Sequence, residues 1–550
     1  MNDAPKCRGS ADSHNEFRRF LLRSAPRLLT QLDRDPDSPT FGCFDRDFWH
    51  YRSRDFSSII LQQGALCLQT LYWYEDPENF LYQEQKVLSW IDASLRFWAS
   101  QQLHSGAFDE FYPHEEGFPP TAFSLYAVAL IFQRRGFPEA ETEVLHAIQK
   151  AADWLLCRRE RQAMNQEAVA LTALALSSRI PSVTVDTVKL NVRFDLFFAA
   201  QSLEGWFPEY GGADTGYLSV TLDALAVYYD LTGDKRAEVA MDRTLGFMSI
   251  LVSVSGSTPV MTNSRDTDYI VPYGLIRMAE RSPLARTVFE TLFRNPENPL
   301  HFLNATDDRY LCHYIYQSCI RGLEHLSGMT AQKEKLPYET GADRFYPEAG
   351  IHVLHTPGAR SIYTATRKGG IYYLYNTKGI VFADYGWRYK TGHGRVALTH
   401  WQHPDYHSTF SQDAGSTRIT ISGGVYIHGW PESTPLRHAA LRVLSYFLGG
   451  RIKSLLKKIL IIKAEGYGMD FRREIVITGT GINCSDMFSG EGVQSFDPVP
   501  AAAYSLRYTP SAGNFNSEEL SWGVGINRVY ERKGETLVIN NSLLFAEVRD

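Results

Sequence analysis

A loop at residues 204–217, EGWFPEYGGADTGY, concentrates acidic and aromatic side chains immediately before an apolar segment. Its candidate substrate-facing side chains are Trp206, Glu209, Tyr210, Asp214 and Tyr217. Gly211 and Gly212 allow the backbone to turn tightly in the middle of the loop. A solvated, glycine-rich connection is the plain alternative, but two acids beside tyrosine and tryptophan exceed what a turn requires. We therefore predict that this loop faces a substrate.

A second loop, GAFDEFYPHEE at residues 106–116, has a similar composition, and its polar side chains are Asp109, Glu110, Tyr112 and His114. Paired carboxylates that flank one glycosidic bond act as acid and base in glycoside hydrolysis. Spacing along the chain does not give their separation in space. A glycoside hydrolase that uses Asp109, Glu209 or Asp214 is therefore one open interpretation.

Histidines cluster in residues 387–413, WRYKTGHGRVALTHWQHPDYHSTFSQD, beside Trp401. The four histidines are His393, His400, His403 and His407. Histidine is the side chain best suited to transfer protons near neutral pH. Metal binding is the rival interpretation, but the chain has no HxH, HExxH or CxxC motif, so we predict no metal site.

Two further side chains could engage a carboxylate. Asn165 begins the apolar segment MNQEAVALTALAL, where it serves either as a helix N-cap or as an amide donor to a substrate. Arg265 lies in TNSRDTDY, and arginine is the natural bidentate partner of a carboxylate. A structural ion pair with Asp266 or Asp268 is the alternative role for Arg265.

The elements that position these residues change character along the chain. From about residue 15 to residue 330, apolar residues recur at helical spacing in about twelve segments, which suggests six antiparallel hairpins. A weak repeat relates residues 106–130 to residues 205–227, and helix pairs of this kind bury their faces by stacking. We predict an (α/α)6 toroid, complete or incomplete, over residues 15–335, with its loops gathered at one mouth.

After residue 340 the pattern alternates or runs apolar between glycine and asparagine turns, as in RSIYTATR and REIVITGTG. Consecutive strands with tight turns predict an antiparallel β-sandwich over residues 340–550. The boundary is expected in the polar segment 330–343, and residues 1–14 are predicted to form a flexible N-terminus.

A basic insertion at about residues 436–465 interrupts the strand pattern, because no acidic residue occurs between Glu432 and Glu465. Its later cations are Arg451, Lys453, Lys457, Lys458 and Lys463. The insertion either packs on the sheet, binds a partner, or contacts anionic lipid through residues 451–463.

Composition narrows the class of protein. A chain of 550 residues is too long for one hydrophobic core, and its net charge of −6 argues against nucleic-acid binding. The first residues lack an apolar secretion-signal core, and no run reaches the roughly 18 apolar residues of a membrane span. Seven scattered cysteines are typical of a reducing compartment. We expect a cytoplasmic protein of unknown oligomeric state.

Taken together, the motifs resemble those of the heparinase II/III-like family. GWFPEYGGADTGYLSVTLDAL is similar to the tyrosine-bearing loop of that family, and YPEAGIHVL to its entry into the β-domain. HSTFSQDAGSTRITISGG resembles its segment with a catalytic histidine. The resemblance implies a toroid followed by an antiparallel β-domain, with Tyr217, Asn165 and His407 as catalytic residues. Two departures are the absence of a histidine beside Asn165 and a long spacing from His407 to Asp413, which leaves His403 or His400 as the alternative.

The resemblance implies an enzyme that removes the C5 proton of a uronic acid residue in an anionic polysaccharide, without a cofactor. Asn165 or Arg265 would neutralise the substrate carboxylate, and Tyr217 or a histidine would take the proton. β-Elimination makes such an enzyme a lyase, whereas return of a proton on the opposite face makes it a uronate C5-epimerase. The epimerase is favoured by the lack of a secretion signal, and its substrate could be a lipid-linked oligosaccharide. A non-catalytic glycan-binding protein is the remaining alternative.

Overall fold

The computed structural model describes most of the chain, namely residues 10–134, 142–299, 301–392, 395–413, 415–428, 433–452, 456, 465–501 and 528–546. Helices come first and strands follow, as the change in sequence period predicts. The first helix begins at Ser10, inside the segment 1–14 that we predict to be a flexible N-terminus, and residues 1–9 lie outside the described part.

The helices are, in chain order, α1 Ser10–Gln31, α2 Arg46–Trp49, α3 Gly64–Trp73, α4 Gln85–Ser100, α5 Phe118–Gln133, α6 Thr142–Leu156, α7 Met164–Ser177, α8 Thr187–Phe198, α9 Thr215–Thr232, α10 Lys235–Ile250, α11 Tyr273–Met278, α12 Pro283–Leu292, α13 Phe302–Ala305, α14 Asp308–Leu311, α15 Ile315–Leu323, α16 Pro337–Thr340 and α17 Pro435–Leu448.

Helices α3, α5, α7, α9, α11 and α15 contact one another in this order, and α15 also contacts α3. Helices α5, α7 and α9 are buried over almost their whole length, because their sequences are apolar on all sides. Helices α4, α6, α8, α10 and α12 each contact the helix that precedes them, and α1 contacts α15. The contacts therefore run once around the helical part and return to their starting helix.

The strands are, in chain order, β1 Ala342–Tyr346, β2 Ile351–Thr356, β3 Arg360–Ala365, β4 Ile371–Asn376, β5 Gly379–Asp384, β6 Trp387–Lys390, β7 Val396–Leu398, β8 His407–Asp413, β9 Ser416–His428, β10 Glu465–Thr478, β11 Gly481–Ser489, β12 Val499–Pro500, β13 Arg528–Lys533 and β14 Thr536–Leu544. The smaller sheet has the order β1-β2-β3-β4-β5, and the larger one β12-β6-β7-β9-β10-β11-β14-β13, with β8 paired to β9. The alternating segment AAYSLRYT, residues 502–509, also predicts a strand, and it lies outside the described residues.

The smaller sheet lies between the helices and the larger sheet, because successive side chains of a strand point to opposite faces. Side chains that join the helical core include Tyr363, Tyr373 and Tyr375. Their neighbours in sequence join the core of the larger sheet, namely Ile362, Tyr372 and Leu374. The helices and the sheets therefore share one continuous packed layer.

Helix α17 interrupts the larger sheet between β9 and β10, within the predicted basic insertion. Ser445 is its buried residue, and its other side chains are exposed or half-exposed. Most of the segment 451–463, for which membrane contact is one of the alternatives, lies outside the described residues, including all four of its lysines. Within the residues that the structure describes, no helix has both the length and the apolarity to cross a bilayer.

Candidate active site

The loop at residues 204–217 is fixed to helix α7 by Glu209. The Asn165 backbone N–H donates to Glu209 Oε1 at 2.6 Å, and Asn165 Nδ2 donates to Glu209 Oε2 at 2.7 Å. Burial raises the pKa of Glu209 well above its usual range, although the two donors of Asn165 oppose this. Ala163, which has no side-chain acceptor, is the N-cap residue of α7, so the N-cap alternative for Asn165 does not apply. Glu209 supplies the acceptor from a distant loop instead.

Asp214 fixes the other end of the same loop. Its carboxylate caps α9 by accepting the backbone N–H of Tyr217, and it also accepts that of Arg265, each at 3.1 Å. Burial raises the pKa of Asp214 to about 6. Trp206 is buried and donates its indole N–H to Glu204. The observed contacts of Asp214 and Trp206 are structural, and their roles in substrate binding stay predictions.

Two tyrosines of this loop lie near Arg265. Tyr210 has a left-handed backbone with φ of 51°, and the Arg265 guanidinium lies 4.8 Å from the centre of its ring. Tyr217 is the third residue of α9. Burial, followed by the charges of Tyr210 and Asp214, raises the pKa of Tyr217 well above its usual range, while Arg265 acts in the opposite direction. The Tyr217 phenol is therefore protonated at neutral pH.

A cavity of about 430 Å³ opens where this loop meets the strands. Its lining residues are Arg161, Gln162, Pro208, Tyr210, Gly211, Ser264, Arg265, Asp266, Lys368, His400, Trp401, Gln402, His403 and Pro404. The helical part and the sheets both contribute to this lining. The cavity thus brings together five of the residues predicted from the sequence, Tyr210, Arg265, His400, Trp401 and His403. Tyr217, Asn165 and Glu209 do not line the cavity.

His403 and His400 are the histidines of this cavity. The His403 ring stacks on Tyr426 with centroids 4.2 Å apart, and its Nδ1 lies 3.3 Å from the backbone nitrogen of Asp405 and 3.4 Å from the carboxylate of the same residue. Burial lowers the pKa of His403 from its usual value, although Asp405 opposes the shift. Its imidazole is therefore neutral near pH 7 and able to accept a proton. His400 is 1% exposed.

His407 lies elsewhere. It begins β8, pairs with Ser422 of β9 and is exposed. It borders a separate depression, together with Asp470 and Arg472. His407 therefore does not line the cavity that holds His400 and His403. His393 lies outside the described residues.

The charge of the cavity is predominantly positive. Arg161, Arg265 and Lys368 line it, against one described carboxylate, Asp266. Asp266 forms a buried ion pair with Lys368, which joins the helical part to the sheets. Like Tyr210, Asp266 has a left-handed backbone, with φ of 54°, and strain of this kind clusters at functional sites. Lysine in the turn TRKGG carries no sequence signal that separates it from an ordinary hairpin residue, so Lys368 was missed.

Gly369 explains how the Lys368 turn approaches the histidine segment. Its φ is +63°, and a Cβ atom there would lie 2.0 Å from the carbonyl oxygen of Thr399. The Tyr406 hydroxyl donates to that same carbonyl and to that of Gly424. The residue that precedes His400 is thus held from two sides.

The carboxylates considered for glycoside hydrolysis have structural partners. Asp109 accepts the backbone N–H groups of His114, Glu115 and Glu116 at 2.8, 2.7 and 3.2 Å, and burial raises its pKa to about 6. Glu209 and Asp214 also accept backbone N–H groups, and none of the three lines the cavity. The geometry does not favour the hydrolase interpretation. Among the residues that the structure describes, no three His, Cys, Asp or Glu side chains are grouped to hold a metal ion.

Comparisons with known proteins identify similar folds. No family model and no curated protein matches the sequence. A Paenibacillus xanthan lyase is 11% identical with a TM-score of 0.51, over 88% of this chain and 46% of that one. The Streptomyces coelicolor A3 chondroitin AC lyase in complex with chondroitin sulphate is 11% identical with a TM-score of 0.49, over 90% and 68%. Pedobacter heparinus heparan sulfate lyase HepC is 9% identical with a TM-score of 0.41, over 98% and 82%.

This chain therefore spans just under half the length of the xanthan lyase chain. Identity this low shows a shared fold and no more. The shared architecture is a helical part followed by antiparallel sheets.

Proposed function

We propose that this chain binds a polysaccharide containing uronic acid in the cavity between its helices and sheets, abstracts the C5 proton, and cleaves the chain by β-elimination. One observation carries the proposal: the cavity combines cations, a neutral histidine and a tyrosine. These are the groups that proton abstraction beside a carboxylate requires. The similarity of fold to a xanthan lyase supports a polysaccharide substrate.

We also propose that the helical part is a toroid and that the two sheets form a β-sandwich. The circuit of helix contacts that returns to α3 supports an (α/α)6 toroid, and the two facing sheets support a β-sandwich. This combination, with the loop at residues 204–217 at the mouth, supports membership of the heparinase II/III-like family.

Arg265 and Lys368 would bind the substrate carboxylate. The hydrogen at C5 lies next to this carboxylate and is weakly acidic, so neutralising the carboxylate stabilises the aci-carboxylate that forms when the proton leaves. An ammonium group has three donors, and Asp266 accepts one of those of Lys368. Arg265 is held over Tyr210 and can contribute a second positive charge.

His403 would take the C5 proton on Nε2, in the tautomer whose Nδ1–H faces the Asp405 carboxylate 3.4 Å away, because its lowered pKa leaves the imidazole neutral at physiological pH. The C5–H electron pair moves into the carboxylate, forming the aci-carboxylate. That pair then forms the C4=C5 double bond as the C4–O4 bond breaks. His400 is the alternative base.

The departing O4 atom needs a proton, which a tyrosine would donate. The raised pKa of Tyr217 keeps its phenol protonated at neutral pH, so Tyr217 would act as a donor and not as the base considered from the sequence. Tyr210 lines the cavity and Tyr217 does not, so Tyr210 is the better placed donor. Asn165 is a positioning residue, since it holds Glu209 and hence the backbone beside Tyr210.

A C5-epimerase would use the same first step and return a proton to the opposite face. The assay therefore follows products from a panel of uronate polymers and a lipid-linked uronate oligosaccharide. An unsaturated uronate supports the lyase, and an inverted C5 without cleavage supports the epimerase. Saturated products with new reducing ends indicate a hydrolase and contradict the proposal. Binding without any product indicates a glycan-binding protein and contradicts it equally.

A further inference from the structure

A second, larger groove continues from the candidate active site. It has a volume of about 1100 Å³ and runs between loops of the helical part and helix α17. Its polar and aromatic lining residues include His104, His114, Glu116, Phe118, Trp154, Arg158, Arg159, Glu160, Tyr446, Phe447 and Arg451. Arg161 and Gln162 line both this groove and the active-site cavity. The two spaces therefore meet at these two residues.

We propose that this groove, here called the α17 groove, binds further sugar residues of the same anionic polysaccharide, beyond the residue that reacts. The inference rests on the proposed function for the class of ligand. It adds a location for the rest of the chain and assigns α17 as one wall of the binding cleft.

The charge of the groove suits an anionic chain. Its arginines are Arg158, Arg159, Arg161 and Arg451, against two acids, Glu116 and Glu160. The Arg158 guanidinium lies 4.2 Å from the centre of the Trp154 ring, which holds it in place at the surface. Positive charge that continues from the cavity into the groove would attract the successive acidic residues of one chain.

Helix α17 adds aromatic surface. Tyr446 and Phe447 are 67% and 76% exposed, although both line the groove. Exposed rings offer flat apolar surfaces to the C–H faces of sugars. The Tyr446 ring meets the His114 ring edge-on, with centroids 5.2 Å apart, so the loop at residues 106–116 supports it from behind.

Helix α17 is anchored and forms a fixed wall. Arg442 forms an ion pair with Asp55, and the Ser445 hydroxyl donates to the Pro113 carbonyl at 2.8 Å. The turn after the helix also approaches the same loop closely, because a Cβ atom at Gly449 would lie 2.9 Å from Glu116 Oε2.

Backbone strain points independently to both spaces. Seven non-glycine residues of the described part have a left-handed backbone. Four of them line the two spaces: Tyr210 and Asp266 in the cavity, and His114 and Glu116 in the groove. Because such conformations persist where function requires them, this distribution favours a shared role for the cavity and the groove.

Binding of oligosaccharides of different length tests the α17 groove. The probes are a disaccharide and an octasaccharide prepared from chondroitin sulfate, alginate and polygalacturonate, and calorimetry measures each Kd. For the polymer that binds, the octasaccharide should bind more tightly than the disaccharide. Arg158→Gln and Tyr446→Ala should each weaken octasaccharide binding by about fivefold and leave disaccharide binding unchanged.

Matched controls are Arg179→Gln and Leu444→Ala, which change exposed residues that do not line the groove. Equal binding of both lengths, or equal effects of groove and control variants, would overturn the inference. A membrane-binding role would replace the inference if two results occurred together. The protein would bind anionic phosphatidylglycerol vesicles and lose this binding in Tyr446→Ala, and its glycan binding would not depend on glycan length. If binding depends on glycan length but no C5 proton is removed, the proposed function is refuted and the inference about the groove is not.

Discussion

Replacement of Lys368 by methionine tests the buried ion pair that joins the two parts of the cavity. The Lys368 and Asp266 side chains are 5% and 3% exposed, so water cannot screen a charge that loses its partner. Removing one member of such a pair costs about 3–5 kcal/mol of unfolding free energy. We expect Lys368→Met to lose stability on this scale.

The double variant Lys368→Met/Asp266→Leu should recover most of that loss, because apolar residues of similar volume often replace a buried ion pair without cost. Urea denaturation followed by circular dichroism measures the stability of both variants. Lys378→Met, which changes an exposed turn lysine, is the control and should stay within about 0.5 kcal/mol of the wild type.

Carboxylate binding separates the two roles of Lys368. The double variant should be stable yet bind a uronate disaccharide poorly, since the cation is gone. If Lys368→Met is as stable as the control, the pair is not buried as described. If the double variant binds the disaccharide as the wild type does, Lys368 does not neutralise the substrate.

Three further variants probe the supports and the base. The pKa of Asp214 is about 6 in the folded protein, against the ordinary 3.8, so the unfolding free energy should fall by about 2 kcal/mol as the pH rises from 4 to 7. Asp214→Asn should flatten that part of the stability–pH curve, and an unchanged curve would refute the assignment. Gly369→Ala forces a side chain against the Thr399 carbonyl at a left-handed φ. It should lower the unfolding free energy, measured by urea denaturation, by at least about 2 kcal/mol. Gly358 is also left-handed but faces open space, so Gly358→Ala should lower the unfolding free energy less. His403→Gln should lower the rate of uronate turnover by about 100-fold or more, whereas His407→Gln should leave it unchanged. The acid limb of the wild-type rate profile should fall below the usual histidine pKa, because burial lowers that of His403.

The sequence predicted the order of the architecture well. Apolar residues at helical spacing in segments such as those of α5 and α9, followed by alternation in β3 and β4, correctly separate a helical part from antiparallel sheets. These periods are local properties of the chain. The contact between α15 and α3 joins distant segments, and no local pattern specifies it.

The site was predictable in its loops and not in its contacts. Among the residues that composition singled out in 204–217 and in the histidine cluster, Tyr210, His400 and His403 line one cavity. Sequence alone could not separate His403 from His407. The strand β8 begins at His407, and its pairing with β9 places His407 outside the cavity that His403 lines. Asn165 looked like a helix cap, since the true acceptor, Glu209, comes from another loop.

The central claim is that the C5 hydrogen leaves the uronate during turnover. The most direct test uses a uronate oligosaccharide deuterated at C5, with mass spectrometry of the products formed by the wild-type protein. We expect loss of the C5 deuteron to solvent in every turnover, whether elimination or epimerisation follows. Turnover with the deuteron retained at C5 would contradict the account.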